Sequence, residues 1–316
     1  MRLCVLDGYT LNPGDLDWSP LAAICDLQLY DRSAPEEVLS RALGAPMLLT
    51  NKTVLNGDTL RQLPGLKYIG VLATGTNVVD MEAAKALGIA VTNVPAYGPD
   101  AVAQMVFAHI LHHVSHLAEH HSAVVAGEWS RSPDFCFTLS QLRSLKGMRL
   151  GIVGFGTIGR QVARIGAAFD MELLISSRSR PRDLPNGAKW LPLQELLPCA
   201  DIISLHCPLT PDTRHLINEQ TLALMKPGCL LVNTARGDLV DEVALAGALN
   251  AGKLQAAVDV LSSEPPRPDN PLLHAANISI SPHIAWATLE ARQNLMNIAV
   301  ANVAAFLRGE RSNRLV

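Results

Sequence analysis

At 316 residues the chain is long enough for about two domains. Its 48% hydrophobic and 17% charged residues exclude a disordered or fibrous protein, and a net charge of −3 offers no basic surface of the kind nucleic acid requires. No apolar run reaches the roughly 18 residues of a membrane span, and six cysteines without a Cys-x-x-Cys pair (Cys4, Cys25, Cys136, Cys199, Cys207 and Cys229) point to thiols in a reducing cytoplasm, not to a disulfide framework or a zinc site.

From the N-terminus, Leu3–Leu6, Leu27–Tyr30, Met47–Leu49, Tyr68–Val71 and Ala90–Thr92 are short apolar runs that read as strands, the first of them in place of a secretion signal. Helical stretches lie between them, such as Asp80–Leu87, which stops at Gly88. Asp100–Ala126 has the length of one long helix, with Pro99 at its start and Gly127 at its end. It carries His109, His112, His113, His116, His120 and His121, several at i, i+3, i+4 and i+7 spacings that share a face. With no His-Glu-x-x-His pattern and only Glu119 as a nearby carboxylate, the expectation is a solvated or interface-facing helix and no metal. A second strand series follows: Leu150–Val153, Leu173–Ser176, Ile202–Leu205, Leu230–Asn233, Ala256–Val260 and Ile278–Ser281, with a last helix over Thr288–Leu307. Alternation of this kind predicts an α/β protein with two doubly wound parallel sheets.

The segment Gly151-Ile-Val-Gly-Phe-Gly-Thr-Ile-Gly159 places Gly154, Gly156 and Gly159 between an apolar strand and a helix that opens at Thr157 and Ile158. The first glycine permits the tight turn, the second lets the backbone approach a pyrophosphate, and the third lets the helix pack close to the strand. The helix N–H groups then face the phosphates. A carboxylate at the end of the next strand would bind the ribose hydroxyls of NAD. Here Ser177-Arg178-Ser179-Arg180 stands in that place, so hydroxyl and guanidinium groups are available for a 2′-phosphate. NADP(H) is the expected cofactor, with NAD(H) the alternative.

Three motifs sit at the C-terminal ends of later strands, where open α/β sheets bind their ligands. They are Asn233-Thr-Ala-Arg236-Gly237, Leu261-Ser-Ser-Glu264-Pro265 and Ser281-Pro-His283-Ile-Ala-Trp286. An Arg, a Glu and a His at one edge suit reversible hydride transfer at a 2-oxo acid. Arg236 would hold the carboxylate and polarise the carbonyl. His283 would protonate its oxygen, and Glu264 would favour the imidazolium.

With these residues in place, the chain resembles the D-isomer-specific 2-hydroxyacid dehydrogenases almost end to end. The resemblance rests on Gly151–Gly159, Leu205–Thr210, Met225–Gly228 through Asn233–Gly237, Ala257–Val260 with Glu264-Pro265, and Ser281–His283. Leu72–Asn77, Asn93–Tyr97 and Trp129-Ser130 look most like the glycerate dehydrogenase (hydroxypyruvate reductase) branch.

The resemblance implies a Rossmann-like cofactor domain over 99–283 and a flavodoxin-like substrate domain made of 1–98 and 284–316. These would be joined by hinges near Tyr97–Pro99 and His283–Thr288, close over a cleft and assemble as a homodimer. It makes Arg236, Glu264 and His283 catalytic. It implies that Lys52 and the N–H groups of Ala73, Thr74 and Gly75 receive the substrate carboxylate, together with Arg236 and His283. It implies that Ala235 and Asp259 contact the nicotinamide, and that Cys207, Pro208 and Thr213 line the cofactor site. The activity implied is reduction of hydroxypyruvate to D-glycerate and of glyoxylate to glycolate. The alternatives are a phosphoglycerate- or lactate-type dehydrogenase, or a dinucleotide-sensing corepressor-like binding protein.

Overall fold

The structure is a computed structural model that describes residues 1–316. It divides into two compact units, one comprising Met1–Gly98 and Ala287–Val316 and the other Pro99–Trp286. The second crossing falls after Trp286, not after His283, because local bonds tie that stretch to its own unit. The Ile284 and Ala285 N–H groups donate to the Asp259 carboxylate, and Trp286 Nε1 donates to the His283 carbonyl.

The first unit is a five-stranded parallel sheet of β1 (Arg2–Val5), β2 (Asp26–Leu29), β3 (Met47–Thr50), β4 (Tyr68–Val71) and β5 (Ala90–Thr92), in the order β2-β1-β3-β4-β5. The central strands β3 and β4 are buried along their whole length, as expected of a parallel sheet covered on both faces. The chain returns to this unit at its end. Thr288 caps the helix Leu289–Leu307 by accepting from Ala291 N, and Phe306 packs on Tyr68 with ring centroids 4.7 Å apart. Asn302 then donates to the Asn93 carbonyl at 3.0 Å.

The second unit is a seven-stranded parallel sheet: β6 (Arg149–Val153), β7 (Glu172–Ser176), β8 (Lys189–Trp190), β9 (Ile202–Leu205), β10 (Cys229–Asn233), β11 (Leu254–Val258) and β12 (Ile278–Ile280). Their order is β12-β11-β10-β9-β6-β7-β8, so the winding reverses between β6 and β9. The gap this reversal opens at the C-terminal ends of those strands is where doubly wound sheets take their ligands. Alternate residues of β6 feed opposite cores. Leu150 and Ile152 join Val106, Phe107 and Ile110 on one face, while Val153 joins Leu205 and Leu231 on the other.

Three further expectations from the sequence change. The two-residue strand β8 was not expected, since it is too short to show periodicity. The strand expected at Ala256–Val260 runs over Leu254–Val258, and Asp259 follows it. The single helix expected over Asp100–Ala126 is two helices, α1 (Pro99–Ser115) and α2 (Leu117–Val125), separated by His116 at φ +47°. The left-handed residue turns the chain without a Gly or Pro to announce it.

That break distributes the histidines among different surroundings. His109, 7% exposed, and His113 bond to serines beside β12, whereas His120 accepts from Leu139 N and faces the His116 carbonyl. No group of three or more His, Cys, Asp or Glu side chains is placed to hold a metal ion.

Burial, reinforced by His112 and His109 nearby, pushes the His113 imidazole from its ordinary 6.5 down to about 4. Between those values the unfolded chain binds a proton that the folded protein refuses, so stability falls as pH drops from 6.5 towards 4. Replacing His113 by Gln removes this contribution. The loss of melting temperature between pH 7 and pH 5 is expected to be smaller in His113→Gln than in the wild type, measured by differential scanning calorimetry.

Candidate active site

The glycine loop follows β6 at the point where the sheet order reverses. Gly154 has φ +98°, and a Cβ built on it would lie 2.5 Å from Cys207 N, so the loops after β6 and β9 meet backbone to backbone. A Cβ on Gly159 would lie 2.2 Å from the Gly154 carbonyl oxygen, which fixes the approach of helix α3 (Thr157–Ala168) to its strand. Gly156 is different. Nothing lies within 4 Å of where its Cβ would be, leaving its backbone and the first N–H groups of α3 at Thr157 and Ile158 open to a ligand. An open middle glycine between two crowded ones is the cradle a dinucleotide pyrophosphate needs.

Residues expected at the rim of this cradle follow β7 and β9. At the end of β7, Ser177 Oγ donates to the Ser179 carbonyl at 2.8 Å, while Arg178 and Arg180 are exposed. At the end of β9, His206 Nε2 pairs with Ser204 Oγ at 2.8 Å, and desolvation pushes its imidazole down to about 4, so it is neutral. Burial pushes the Cys207 thiol up, which disfavours its thiolate. Thr213 Oγ1 donates to the Pro208 carbonyl at 2.7 Å and accepts from Thr210 N, closing the next turn. On the β10 loop, Thr234 Oγ1 is buried with no partner in the protein, a polar atom left for a bound group.

Arg236, Glu264 and His283 come from the loops after β10, β11 and β12. Buried Asn233 brackets the first loop: its Nδ2 donates to the Arg236 carbonyl at 2.8 Å, and its Oδ1 accepts from Ala235 N at 3.1 Å. Arg236 is therefore held extended (φ −148°, ψ 139°) and half-buried, with one guanidinium nitrogen on the Ala235 carbonyl at 2.6 Å. Gly237 lets this loop touch the next, because a Cβ there would lie 2.0 Å from the Leu261 carbonyl carbon.

Glu264 Oε1 accepts from Leu261 N at 3.1 Å, and its Oε2 meets His283 Nδ1 at 2.5 Å. The two side chains are 34% and 28% exposed, so the pair is half-desolvated but reachable. A carboxylate on Nδ1 fixes the ring, leaving Nε2 as the nitrogen that can exchange a proton with a substrate. His283 itself sits at φ +54°, a left-handed conformation held by its N–H to the Asp259 carbonyl at 2.8 Å and to the Ser281 carbonyl at 3.0 Å.

Asp259 is 2% exposed, and its carboxylate is spent on that loop. Oδ1 accepts from Ser281 Oγ at 2.5 Å and Ile284 N at 2.9 Å, and Oδ2 accepts from Ala285 N at 2.9 Å.

In the first unit a similar arrangement occurs at the end of β1. Asp7 accepts from Asn51 N, Lys52 N and Thr53 N at 2.8, 2.6 and 2.8 Å, and Asn51 Nδ2 donates to the Leu72 carbonyl at 2.9 Å. These bonds bring the Lys52 loop beside the Ala73–Gly75 loop. The latter is pinned from its other side, where Thr74 Oγ1 donates to the Val94 carbonyl and Asn93 Nδ2 donates to the Thr74 carbonyl.

A family model of the D-isomer specific 2-hydroxyacid dehydrogenase NAD-binding domain matches residues 107–285. The chain belongs to that family. It is 43% identical to the hydroxypyruvate reductase of Blautia hydrogenotrophica over 99% of both chains. It is 40% identical to the glyoxylate reductase of Aeropyrum pernix over 94% of this chain and 91% of that one. The crystal structure of the TT0316 protein of Thermus thermophilus superposes with a TM-score of 0.88 at 35% identity, covering all of both chains. This protein is accordingly a 2-hydroxyacid dehydrogenase with a nicotinamide-dinucleotide domain, and it acts on a small 2-oxo or 2-hydroxy acid. No helix is long and apolar enough to cross a membrane.

Sequence reading singled out the dehydrogenase's Arg, Glu and His, but it gave Asp259 no role in holding them and passed over Asp7, which holds the Lys52 loop. Asp7 and Asp259 share a signal that could have found the first: each is an acidic residue placed at the end of a buried apolar strand. Gly237 carries its own test. Gly237→Ala is expected to push apart the loops bearing Arg236 and Glu264, lowering kcat at least tenfold. The dissociation constant of the reduced cofactor, read by fluorescence titration, should stay within about twofold.

Proposed function

We propose that this dehydrogenase reduces hydroxypyruvate to D-glycerate and glyoxylate to glycolate, with NADPH as its preferred reductant. The observation that carries the reading is the 2.5 Å contact of Glu264 with His283 Nδ1, in the same unit and at the same strand ends as Arg236 and the open glycine cradle. The Arg236 fork binds the substrate carboxylate and draws charge from the ketone oxygen. His283 Nε2 gives that oxygen its proton, and the Glu264 carboxylate stabilises the imidazolium before transfer. The Gly154–Gly159 cradle would hold the pyrophosphate of a reduced nicotinamide dinucleotide, which would supply the hydride for the carbonyl carbon. Lys52 and the N–H groups of Ala73, Thr74 and Gly75 form the anion-binding edge of the first unit, held in shape by Asp7 and Asn51. The names of the two curated relatives, a hydroxypyruvate reductase and a glyoxylate reductase, favour these substrates over longer 2-oxo acids.

The NADPH preference is supported by what stands at the end of β7. Ser177 occupies the place where a carboxylate would repel a 2′-phosphate, and the exposed Arg178 and Arg180 can bind its oxygens. A charge-assisted hydrogen bond contributes roughly 1.5–3 kcal/mol, or about a tenfold to hundredfold change in affinity. Initial rates with hydroxypyruvate are expected to give kcat/KM at least tenfold higher with NADPH than with NADH. Arg178→Ala should raise KM for NADPH about tenfold and leave KM for NADH within about twofold. A wild type that prefers NADH overturns the phosphate reading, and no turnover with either cofactor overturns the activity.

We also propose a homodimer. The segment after α1 exposes Leu117, Val125, Trp129, Phe135, Leu139 and Leu142, with Phe135 89% exposed, an apolar stretch that a second copy would cover. Light scattering behind size exclusion should give a mass near twice the 33.9 kDa of the chain. A mass near that of one chain overturns this assembly.

A further inference from the structure

The histidine-bearing helix α1 meets the site through a chain of hydrogen bonds that no catalytic step uses. His113 Nε2 lies 3.0 Å from Ser279 Oγ, and Ser279 Oγ lies 3.1 Å from His109 Nδ1. His109 Nε2 lies 3.0 Å from Ser281 Oγ, and Ser281 Oγ lies 2.5 Å from Asp259 Oδ1. The same carboxylate accepts from the Ile284 and Ala285 N–H groups, and the Asp259 carbonyl accepts from His283 N. We propose that His109 and Ser281 are positioning residues for His283, acting through a one-directional hydrogen-bond chain that ends on Asp259.

The direction of the chain follows from its end. An ionised carboxylate only accepts, so Ser281 spends its one proton on Asp259 and its oxygen must accept from His109 Nε2–H. Desolvation lowers the His109 imidazole below its ordinary range, so at neutral pH the ring carries one proton, on Nε2. Nδ1 is then an acceptor for the Ser279 hydroxyl. From Asp259 through Ser281 and His109 to Ser279 each link fixes the next, and reversing one sets donor against donor.

The chain matters because the carboxylate it ends on holds three groups of the loop after β12, and that loop keeps His283 left-handed. Without the Ser281 donor, the buried Asp259 carboxylate loses a charge-assisted bond at Oδ1. The loop carrying His283 then gains freedom that the left-handed residue will use to relax. Loss of order at His283 affects proton delivery more than substrate capture, so it reads out in kcat.

This inference rests on His283 as the proton donor, and the experiment separates the two. In hydrogen–deuterium exchange, peptides containing Ile284 and Ala285 should exchange at least tenfold faster in Ser281→Ala and in His109→Leu than in the wild type. His121→Gln, on the exposed side of α2, should match the wild type. With hydroxypyruvate and NADPH, Ser281→Ala and His109→Leu should lose at least tenfold in kcat with KM within about twofold. Ser281→Thr, which keeps the hydroxyl, and His109→Gln, which keeps a donor and an acceptor, should recover most of that loss. Nitrogen-15 NMR of the wild type should show His109 neutral and protonated on Nε2, a measurement that needs no variant to fold. Unchanged exchange in both folded variants, or a His109 ring protonated on Nδ1 alone, overturns the chain. A wild type without turnover overturns the catalytic reading of His283 instead, and exchange with NMR still decides the chain.

Discussion

A carboxylate taken out of water costs several kcal/mol unless its acceptors are filled, and Asp259 is 2% exposed. It meets that constraint with Ser281 Oγ and the N–H groups of Ile284 and Ala285. Its own backbone reaches further, the N–H to the Asn233 carbonyl and the carbonyl to His283 N. One buried group therefore ties the loop that carries Arg236 to the loop that carries His283. Its carboxylate thereby organises the backbone around the proposed proton donor.

Close approach of backbone to backbone is the second constraint, and glycine is what satisfies it. Gly154 against Cys207, Gly159 against Gly154, and Gly237 against Leu261 each occupy a place where a Cβ would be within 2.5 Å of another main-chain atom. The first two set the cofactor cradle, and the third sets the distance between the Arg236 and Glu264 loops. Gly156, with nothing near it, is the glycine whose openness faces outward to a ligand. Four glycines of one chain thus do different work, and only their surroundings distinguish them.

The two units solve a shared problem in the same way. At the end of β1, Asp7 collects the N–H groups of Asn51, Lys52 and Thr53, much as Asp259 collects those of Ile284 and Ala285 at the end of β11. A carboxylate placed where a parallel strand stops faces the N–H groups of a neighbouring loop and gives an irregular segment a fixed shape. Loops made rigid in this way can present a side chain such as Lys52 or His283 without the support of regular structure.

The sequence alone was enough for the local and the covalent. Short Val-, Ile- and Leu-rich runs between capped helices determined the parallel α/β units, and Gly154-Phe-Gly-Thr-Ile-Gly159 determined the strand–turn–helix that accepts a dinucleotide. The chemistry of the Arg236, Glu264 and His283 side chains was legible for the same reason, since a residue's functional groups and the strand that precedes it are both written within a few positions. What tertiary structure decided depends on contacts between residues far apart in the chain. The break at His116, the meeting of Gly237 with Leu261 and the link from His109 to Ser281 carry no local signature. The helix carrying His109 precedes Ser281 by more than a hundred residues, and only the packing of α1 beside β12 brings them within hydrogen-bonding range. The histidines read from their spacing as one surface became, once folded, two inward groups joined to the catalytic loop and others facing elsewhere, because helix periodicity records which residues share a face but not what that face will meet.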